Sequence, residues 1–331
     1  MSFTHTIHAA RARAAFALVI AALLNAAPCC GAQRDFGDFT ATDTLLVVAP
    51  HPDDESLCCG GAIARARAAG ARIALVWITS GDAFELDAHL VEHRLWTTRQ
   101  DLLGLAQLRM QEAARAAAVL QALPEARFFL GYPDGGITKL LHENWDLPFR
   151  SPHTGAAAVP YAQALAVGSA YTGHNLERDF RAVIGRVNPT WILAPSPLDE
   201  HEDHRATGEL VMRVLASMKE PVAARYWIVH GGFEWPWPRG LHADAPLLPP
   251  RRARALPWVS LPLSGAQRSV KESAIRTYAS QMLLTSSFML SFVKRNEIYS
   301  ATPVVSALAA AHNTAPHARS QKSPPDPARP N

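Results

Sequence analysis

The sequence predicts an α/β protein with a Rossmann-like, mostly parallel sheet that is flanked by helices and followed by an extended C-terminal segment. Short apolar runs rich in β-branched residues alternate with stretches in which apolar residues recur at helical spacing. Clusters of His, Asp and Glu directly follow several of the predicted strands. Because such sheets bind ligands at the carboxyl ends of their strands, this placement supports the same fold.

The regular structure begins with a βαβ unit. A strand is predicted at residues 44–49, a helix at residues 55–69 and a second strand at residues 72–79. Because a helix joins them, the two strands are expected to be parallel. A long helix is then predicted at about residues 91–123.

The later elements repeat this alternation. They are predicted as a strand at 127–130, a helix at 176–187, a strand at 190–194, a helix at 202–218 and a strand at 224–230. Residues 137–173 contain several Pro and Gly residues and are expected to be irregular. Residues 300–331 are rich in Pro, Ala and Ser and are predicted to be a disordered tail. The predicted domain therefore spans residues 40–299.

The N-terminal segment is typical of a secretory signal peptide. Basic residues precede an apolar run at residues 14–27, and small residues follow at 28–32. The run is shorter than the about 20 apolar residues that a membrane-spanning helix needs. Residues 1–32 are therefore predicted to be a signal peptide cleaved after Ala32, and the protein to be exported to the periplasm or secreted. Retention of the segment as a membrane anchor, or lipidation of one of its cysteines, stays open.

Composition and cysteine content narrow the protein class. The chain of 331 residues carries a net charge of +3 and scattered basic residues, so nucleic acid is not expected as a partner. The densest basic run, at 251–254, is expected to be a solvated loop. Beyond the predicted signal peptide, the cysteines are Cys58 and Cys59. Adjacent cysteines rarely satisfy disulfide geometry, so both are predicted to be small buried hydrophobic residues.

The turn after the first predicted strand concentrates charge. His51, Asp53, Asp54 and Glu55 lie within five consecutive residues. Burial of three neighbouring carboxylates costs several kcal/mol unless positive charge compensates them. A divalent cation is the simplest compensation, because His51 and Asp54 are three residues apart and can face one point. An acidic cap of the helix is the alternative, but it does not explain His51.

A second cluster, at residues 199–204, follows the fourth predicted strand. His201 and His204 are three residues apart on one face of a helix start. The two clusters together supply histidine and carboxylate ligands, with acid and base candidates left over. Three N or O ligands with one open position is how proteins hold catalytic zinc. Zinc is therefore predicted as the cofactor, although iron, cobalt and manganese accept similar ligands.

The two clusters resemble the metal motifs of the LmbE-like, or PIG-L-like, zinc-dependent N-acetylglucosaminyl deacetylases. The resemblance covers about residues 44–218 and includes residues 49–55 (APHPDDE) and 201–204 (HEDH). Residues 109–112 (RMQE) and 130–135 (LGYPDG) support it. The family usually shows Ala-His-Pro, whereas here Pro50 stands directly before the histidine.

The resemblance implies a role for each matching residue. It implies zinc ligands at His51, Asp54 and His204, a general base at Asp53, an oxyanion or leaving-group contact at His201, and substrate contacts at Arg109 and Asp134. Independently of the resemblance, Asp199 or Asp203 is expected to orient a histidine ligand from behind, as carboxylates at metal sites commonly do.

The sequence thus predicts an exported zinc-dependent hydrolase that removes the N-acetyl group from an amino sugar or glycan of the N-acetylglucosamine type. A metal-dependent amidase for another sugar conjugate and a non-catalytic carbohydrate-binding protein are the alternatives. No membrane span is predicted for the mature chain. The oligomeric state, the exact glycan and the role of the aromatic run at residues 233–238 are not predicted.

Overall fold

A computed structural model describes residues 35–83 and 98–304. The predicted signal peptide, the start of the predicted helix at 91–97 and the tail from residue 305 lie outside the described residues. None of the helices in the described ranges combines the length and apolar character required to cross a membrane.

A seven-stranded sheet forms the centre of the described structure, in the order β3-β2-β1-β4-β5-β7-β6. The strands are β1 (Thr44–Ala49), β2 (Arg72–Thr79), β3 (Arg127–Tyr132), β4 (Trp191–Pro195), β5 (Ala223–Trp227), β6 (Trp258–Pro262) and β7 (Asn296–Ser300). The first five strands are parallel, and β7 and β6 join antiparallel. All six residues of β1 are buried, as expected of a parallel strand covered on both faces.

Seven helices are described. They are α1 (Asp54–Ala68), α2 (Arg99–Val119), α3 (Ile137–His142), α4 (Gly173–Val187), α5 (Glu202–Ala216), α6 (Gly265–Arg276) and α7 (Ala279–Leu290). The chain winds from β1 to β2 and β3 on one side and continues to β4 and β5 on the other. The carboxyl ends of β1 and β4 therefore border the topological switch point, where open α/β sheets bind ligands.

The predicted Rossmann-like fold is confirmed, and β1 and β2 have the predicted bounds. Helix α2 ends four residues earlier than predicted, because Gln121 has φ 58° and cannot continue an α-helix. Strand β5 ends at Trp227 rather than at residue 230. The N–H groups of Val229 and His230 donate to the carboxylate of Asp199 instead of to a neighbouring strand.

Two further regions differ from the sequence prediction. Residues 137–173 were expected to be irregular but begin with α3, a helix too short for its periodicity to be recognised. The extended C-terminal segment contains α6, α7 and the antiparallel strands β7 and β6. Within this segment, α6 and α7 are separate helices, divided at Thr277 and Tyr278.

The prediction of two unpaired cysteines is wrong. Cys58 and Cys59 form a disulfide within α1, with their Cα atoms 3.8 Å apart. The prediction rested on the usual Cα separation of about 4.4–6.8 Å in disulfides, which adjacent residues cannot reach. Their predicted burial is confirmed, since Cys58 is 7% exposed and Cys59 is 0% exposed.

An ion pair without solvent exposure ties the C-terminal segment to α1. Lys271 Nζ lies 2.6 Å from Glu297 Oε1, and both side chains are fully buried. The Glu297 carboxylate also accepts hydrogen bonds from the backbone N–H groups of Gly61 and Ala62 and from the Tyr299 hydroxyl. Because α1 begins at the motif after β1, this contact braces the helix that presents the candidate site.

Lys271→Met should lower the free energy of unfolding by about 3 kcal/mol, because it leaves the Glu297 carboxylate buried without its cation. Urea denaturation of wild type and variant measures this difference. Lys139→Met is the matched control, since its Nζ lies 2.9 Å from Glu143 in an exposed pair. We expect the control to cost less than about 1 kcal/mol. Equal losses in the two variants would contradict a bracing role for Lys271.

Candidate metal centre and active site

A cavity of about 370 Å³ lies at the switch point, above the carboxyl ends of β1 and β4. The turn after β1, the start of α5 and the turn after β3 form much of its wall, and α7 contributes Gln281, Phe288 and Met289. The structure thus brings together both charged clusters of the sequence, which are about 150 positions apart.

Three atoms from the two clusters lie close together beside this cavity, which His51 and Asp54 line. His51 Nδ1 lies 3.3 Å from Asp54 Oδ2, and His204 Nε2 lies 3.2 Å from the same oxygen. The two histidine nitrogens are 3.3 Å apart. Ligand atoms bound at about 2.0–2.1 Å to a tetrahedral ion stand about 3.3 Å from one another. His51, Asp54 and His204 therefore fit a tetrahedral divalent metal.

The charge around these atoms leads to the same conclusion. Burial alone disfavours charge on Asp54, but the neighbouring His204 and His51 more than offset it and hold the pKa of Asp54 well below its usual range. Burial opposes protonation of His204, yet Asp54 and Asp199 raise its pKa to about 9. The carboxylates thus favour positive charge at the two histidines. A bound cation would supply that charge without a proton on either of the two histidine nitrogens that face each other.

A second layer of carboxylates lies behind the histidines. Asp199 Oδ2 is 3.2 Å from His204 Nδ1, although that nitrogen has no well-aligned hydrogen bond among the described residues. His51 Nε2 lies 3.1 Å from Asp134 Oδ1 and 3.4 Å from Asp203 Oδ2. Both predicted orienting residues, Asp199 and Asp203, are therefore next to a candidate ligand.

Asp134 was expected to contact the substrate, which stays a prediction, and the structure places it against His51. Its carboxylate lines the cavity and lies 3.1 Å from His51 Nε2, and His51 holds its pKa below the usual range against the effect of burial. Asp82, at the end of β2, accepts a hydrogen bond from the Asp134 N–H at 2.9 Å and from the Tyr161 hydroxyl at 2.6 Å. Asp82 and Tyr161 thus hold the turn that presents Asp134.

Asp53 has a strained backbone conformation, with φ 116° and ψ −34°. It lines the cavity beside Asp54, and burial together with the Asp54 charge raises its pKa to about 8. A cation at Asp54 would oppose that rise, because it favours the ionised form. Strain at a non-glycine residue next to buried charges is typical of a functional position.

Arg109 reaches the turn from α2 and is only 4% exposed. Its Nη2 donates to the Pro52 carbonyl at 2.9 Å and lies 3.4 Å from Asp53 Oδ2, and its Nη1 donates to the Gly81 carbonyl at 3.1 Å. Gly81 has φ 70°, and a Cβ there would meet the guanidinium, so both the backbone and the space favour glycine. Arg109 therefore holds Asp53 and its turn, and its predicted substrate contact stays a prediction.

His201 is the N-cap of α5 and its ring faces His51, with 4.7 Å between the ring centroids. Its Nδ1 accepts a hydrogen bond from the Asp203 N–H at 3.2 Å, which leaves the proton on Nε2 in the neutral ring. Burial and then the nearby His51 lower the pKa of His201 to about 2. His201 is thus a neutral hydrogen-bond donor at the edge of the cavity.

The sequence analysis missed His230 and did not predict the partners of Glu55. His230 lines the cavity, and its ring centroid lies 4.7 Å from that of His204. His230 lies just after β5, and position directly after a strand is the feature by which the sequence analysis identified the other clusters. Glu55 is fully buried and accepts hydrogen bonds from Tyr278 at 2.6 Å and Trp77 at 2.9 Å. No local pattern could have paired Glu55 with a residue 223 positions away.

Comparison with known proteins identifies the family. The family described as PIG-L, GlcNAc-PI de-N-acetylase, matches residues 46–215. A 1D-myo-inositol 2-acetamido-2-deoxy-alpha-D-glucopyranoside deacetylase of Actinosynnema mirum is 30% identical over 180 residues, which are 54% of this chain and 56% of that protein. The protein of the same name from Nakamurella multipartita is 32% identical over 212 residues, 61% of this chain and 59% of that protein. The chain thus spans little more than half the length of these relatives.

Solved structures agree on the fold. The N,N'-diacetylchitobiose deacetylase of Pyrococcus horikoshii superposes with a TM-score of 0.50 at 17% identity, covering 88% of this chain and 92% of that one. The deacetylase of the antimicrobial A40926 pseudoaglycone has a TM-score of 0.51 at 16% identity, covering 78% of this chain and 96% of that one. The family match includes both charged clusters, strands β2, β3 and β4, and most of β1. The chain therefore belongs to the PIG-L family, whose model is described as a GlcNAc-PI de-N-acetylase.

Proposed function

We propose that this protein is an exported, zinc-dependent N-deacetylase that acts on an amino sugar or glycan of the N-acetylglucosamine type. The observation that carries the proposal is the triangle of His51 Nδ1, Asp54 Oδ2 and His204 Nε2, each 3.2–3.3 Å from the others. Two imidazoles and one carboxylate at tetrahedral spacing, beside an open cavity, is a donor set typical of catalytic zinc.

The residues around the triangle suit hydrolysis of an acetamide. A divalent metal bound there supplies Lewis-acid polarisation of a carbonyl and lowers the pKa of a bound water. Asp53, which lines the same cavity, is placed to accept a proton from the attacking water. Arg109 keeps the Asp53 carboxylate at the cavity wall.

His201 supplies a hydrogen-bond donor for the acetamide group of the substrate. Its neutral ring can donate a hydrogen bond from Nε2–H to the acetamide oxygen as negative charge develops there. The proton that Asp53 accepts from the water is then available for the departing nitrogen. The water oxygen becomes bonded to the acetyl carbon, the C–N bond breaks, and the nitrogen leaves as a free amine. The products are acetate and the deacetylated sugar.

The substrate class is supported by the relatives. Both curated relatives described above are named as deacetylases of a 2-acetamido-2-deoxy-glucopyranoside. A probable N-acetyl-alpha-D-glucosaminyl L-malate deacetylase of Bacillus anthracis is 25% identical over 186 residues. Export is supported by the pattern of residues 1–32, with a basic start, an apolar run and a small-residue end.

His204→Ala should abolish stoichiometric binding of zinc, because it removes one of three ligands. Metal analysis after dialysis measures the loss, and the increase of melting temperature that zinc gives the wild type should vanish with it. His142→Ala is the control, since His142 is half-exposed and pairs with Glu209 on the surface. One zinc per chain in His204→Ala would remove His204 from the ligand set.

Asp53→Asn should retain zinc while kcat/KM for release of free amine from N-acetylglucosamine conjugates falls by about 100-fold or more. Asparagine has nearly the same shape as aspartate, so the turn should persist. Asp146→Asn, at a carboxylate that is 79% exposed, is the control and should keep full activity. Loss of zinc in Asp53→Asn would contradict the base role, and full activity would exclude it.

A further inference from the structure

A second cavity, of about 800 Å³, opens beside the first. Consecutive residues line the two cavities: Glu200 and Gly231 line the second, whereas their neighbours His201 and His230 line the first. The Glu200 N–H donates to the His230 carbonyl at 2.9 Å, and this hydrogen bond joins the two segments that lie between the cavities. A molecule that reaches from one cavity into the other would cross this shared wall.

Residues 231–240, which we call the aromatic loop, present two large rings to solvent at the second cavity. Phe233 is 96% exposed and Trp237 is 72% exposed, and both line the cavity. These are the most exposed large hydrophobic side chains among the described residues, together with Leu147 at 72%. Exposed aromatic rings at a concave surface indicate a binding site rather than a core.

Contacts with neighbouring residues hold the aromatic loop in place. Its Arg239 guanidinium lies 4.9 Å from the ring centre of Phe288, a residue of the first cavity. The other tethers are hydrogen bonds from Trp235 to the Leu248 carbonyl, from Lys294 to the Pro238 carbonyl and from Gly240 to the Ser287 carbonyl. The backbone that carries Phe233 and Trp237 is therefore anchored, which limits the conformational entropy lost when a ligand binds.

The charges that line the second cavity balance. Glu200 and Glu234 face Arg251 and Arg252, and Arg252 Nη1 lies 3.6 Å from Glu200 Oε1. A lining without net charge does not select an anion or a cation. Carboxylates and guanidinium groups beside aromatic faces instead offer acceptors and donors to the hydroxyl groups of a neutral sugar, while the rings pack on its apolar face.

We propose that the second cavity binds the sugar units that adjoin the N-acetylated unit in the first cavity, so that the substrate is an oligosaccharide or polysaccharide rather than a single sugar. This inference rests on the proposed function and names its substrate class. Phe233 and Trp237 form the stacking platform. Binding of the flanking units there raises the affinity for longer chains while the chemistry stays in the first cavity.

The test compares β-1,4-linked N-acetylglucosamine chains of one to four units in wild type and in the double variant Phe233→Ala/Trp237→Ala. We expect kcat/KM in the wild type to rise at least about tenfold from the single sugar to the tetramer, because each ring contact contributes about twofold to tenfold. The ratio of tetramer to single sugar should fall to near one in the double variant. Leu123→Ala is the control, since this 58% exposed residue precedes β3 at the opposite edge of the sheet.

Two results would overturn the inference while the proposed function stands: equal kcat/KM at every chain length in the wild type, or an unchanged ratio in the double variant. An equal gain from a simple alkyl glycoside of N-acetylglucosamine would assign the platform to an apolar aglycone and also overturn it.

If no sugar in the panel is hydrolysed, the proposed function fails, and calorimetry decides the inference separately. Binding of the tetramer to Asp53→Asn, lost when Phe233→Ala/Trp237→Ala is added, would support the platform. Absence of tetramer binding to Asp53→Asn would overturn it.

Discussion

Concentrated negative charge at the switch point is the constraint on which the rest of the site depends. Asp54, Asp199 and Asp203 are each at most 1% exposed, and they surround His51 and His204 in a region with little access to solvent. Buried carboxylates in such numbers require compensation by cations and hydrogen bonds. Backbone N–H groups that donate to Asp199 and Asp203 meet part of this requirement. Arg109 does the same for the neighbouring Asp53, and a cation at the three ligand atoms would supply the rest.

The fold could be predicted largely because its signals are local. Strand β1 is a continuous apolar run. His51 and Asp54 are three residues apart, so the single turn before α1 brings them together. His204 follows the end of β4, so it was expected at the same edge of the sheet as His51 and Asp54. Contacts between residues far apart in sequence have no local pattern that predicts them. The contacts of Glu55 with Tyr278 and of Glu297 with α1 depend on how the C-terminal segment packs against the rest of the fold. The disulfide in α1 contradicts a rule that holds for most cysteine pairs.

The C-terminal segment gives this chain features that the two metal motifs do not contain. Its helix α7 lines the first cavity, its residues Lys271 and Glu297 brace α1, and the aromatic loop before it forms the second cavity. The family match ends at residue 215, before all of these elements. A surface built outside the family match can change which substrate binds while the residues of the matched region stay the same.

X-ray absorption at the zinc edge of the stoichiometrically loaded protein tests the metal centre most directly. The account predicts only nitrogen and oxygen neighbours at about 2.0–2.1 Å, with the outer-shell scattering of two imidazole rings from His51 and His204. A sulfur neighbour at about 2.3 Å would place the metal at the cysteines of α1 instead. That result, or a spectrum with fewer than two imidazoles, would contradict the ligand set on which the proposed chemistry stands.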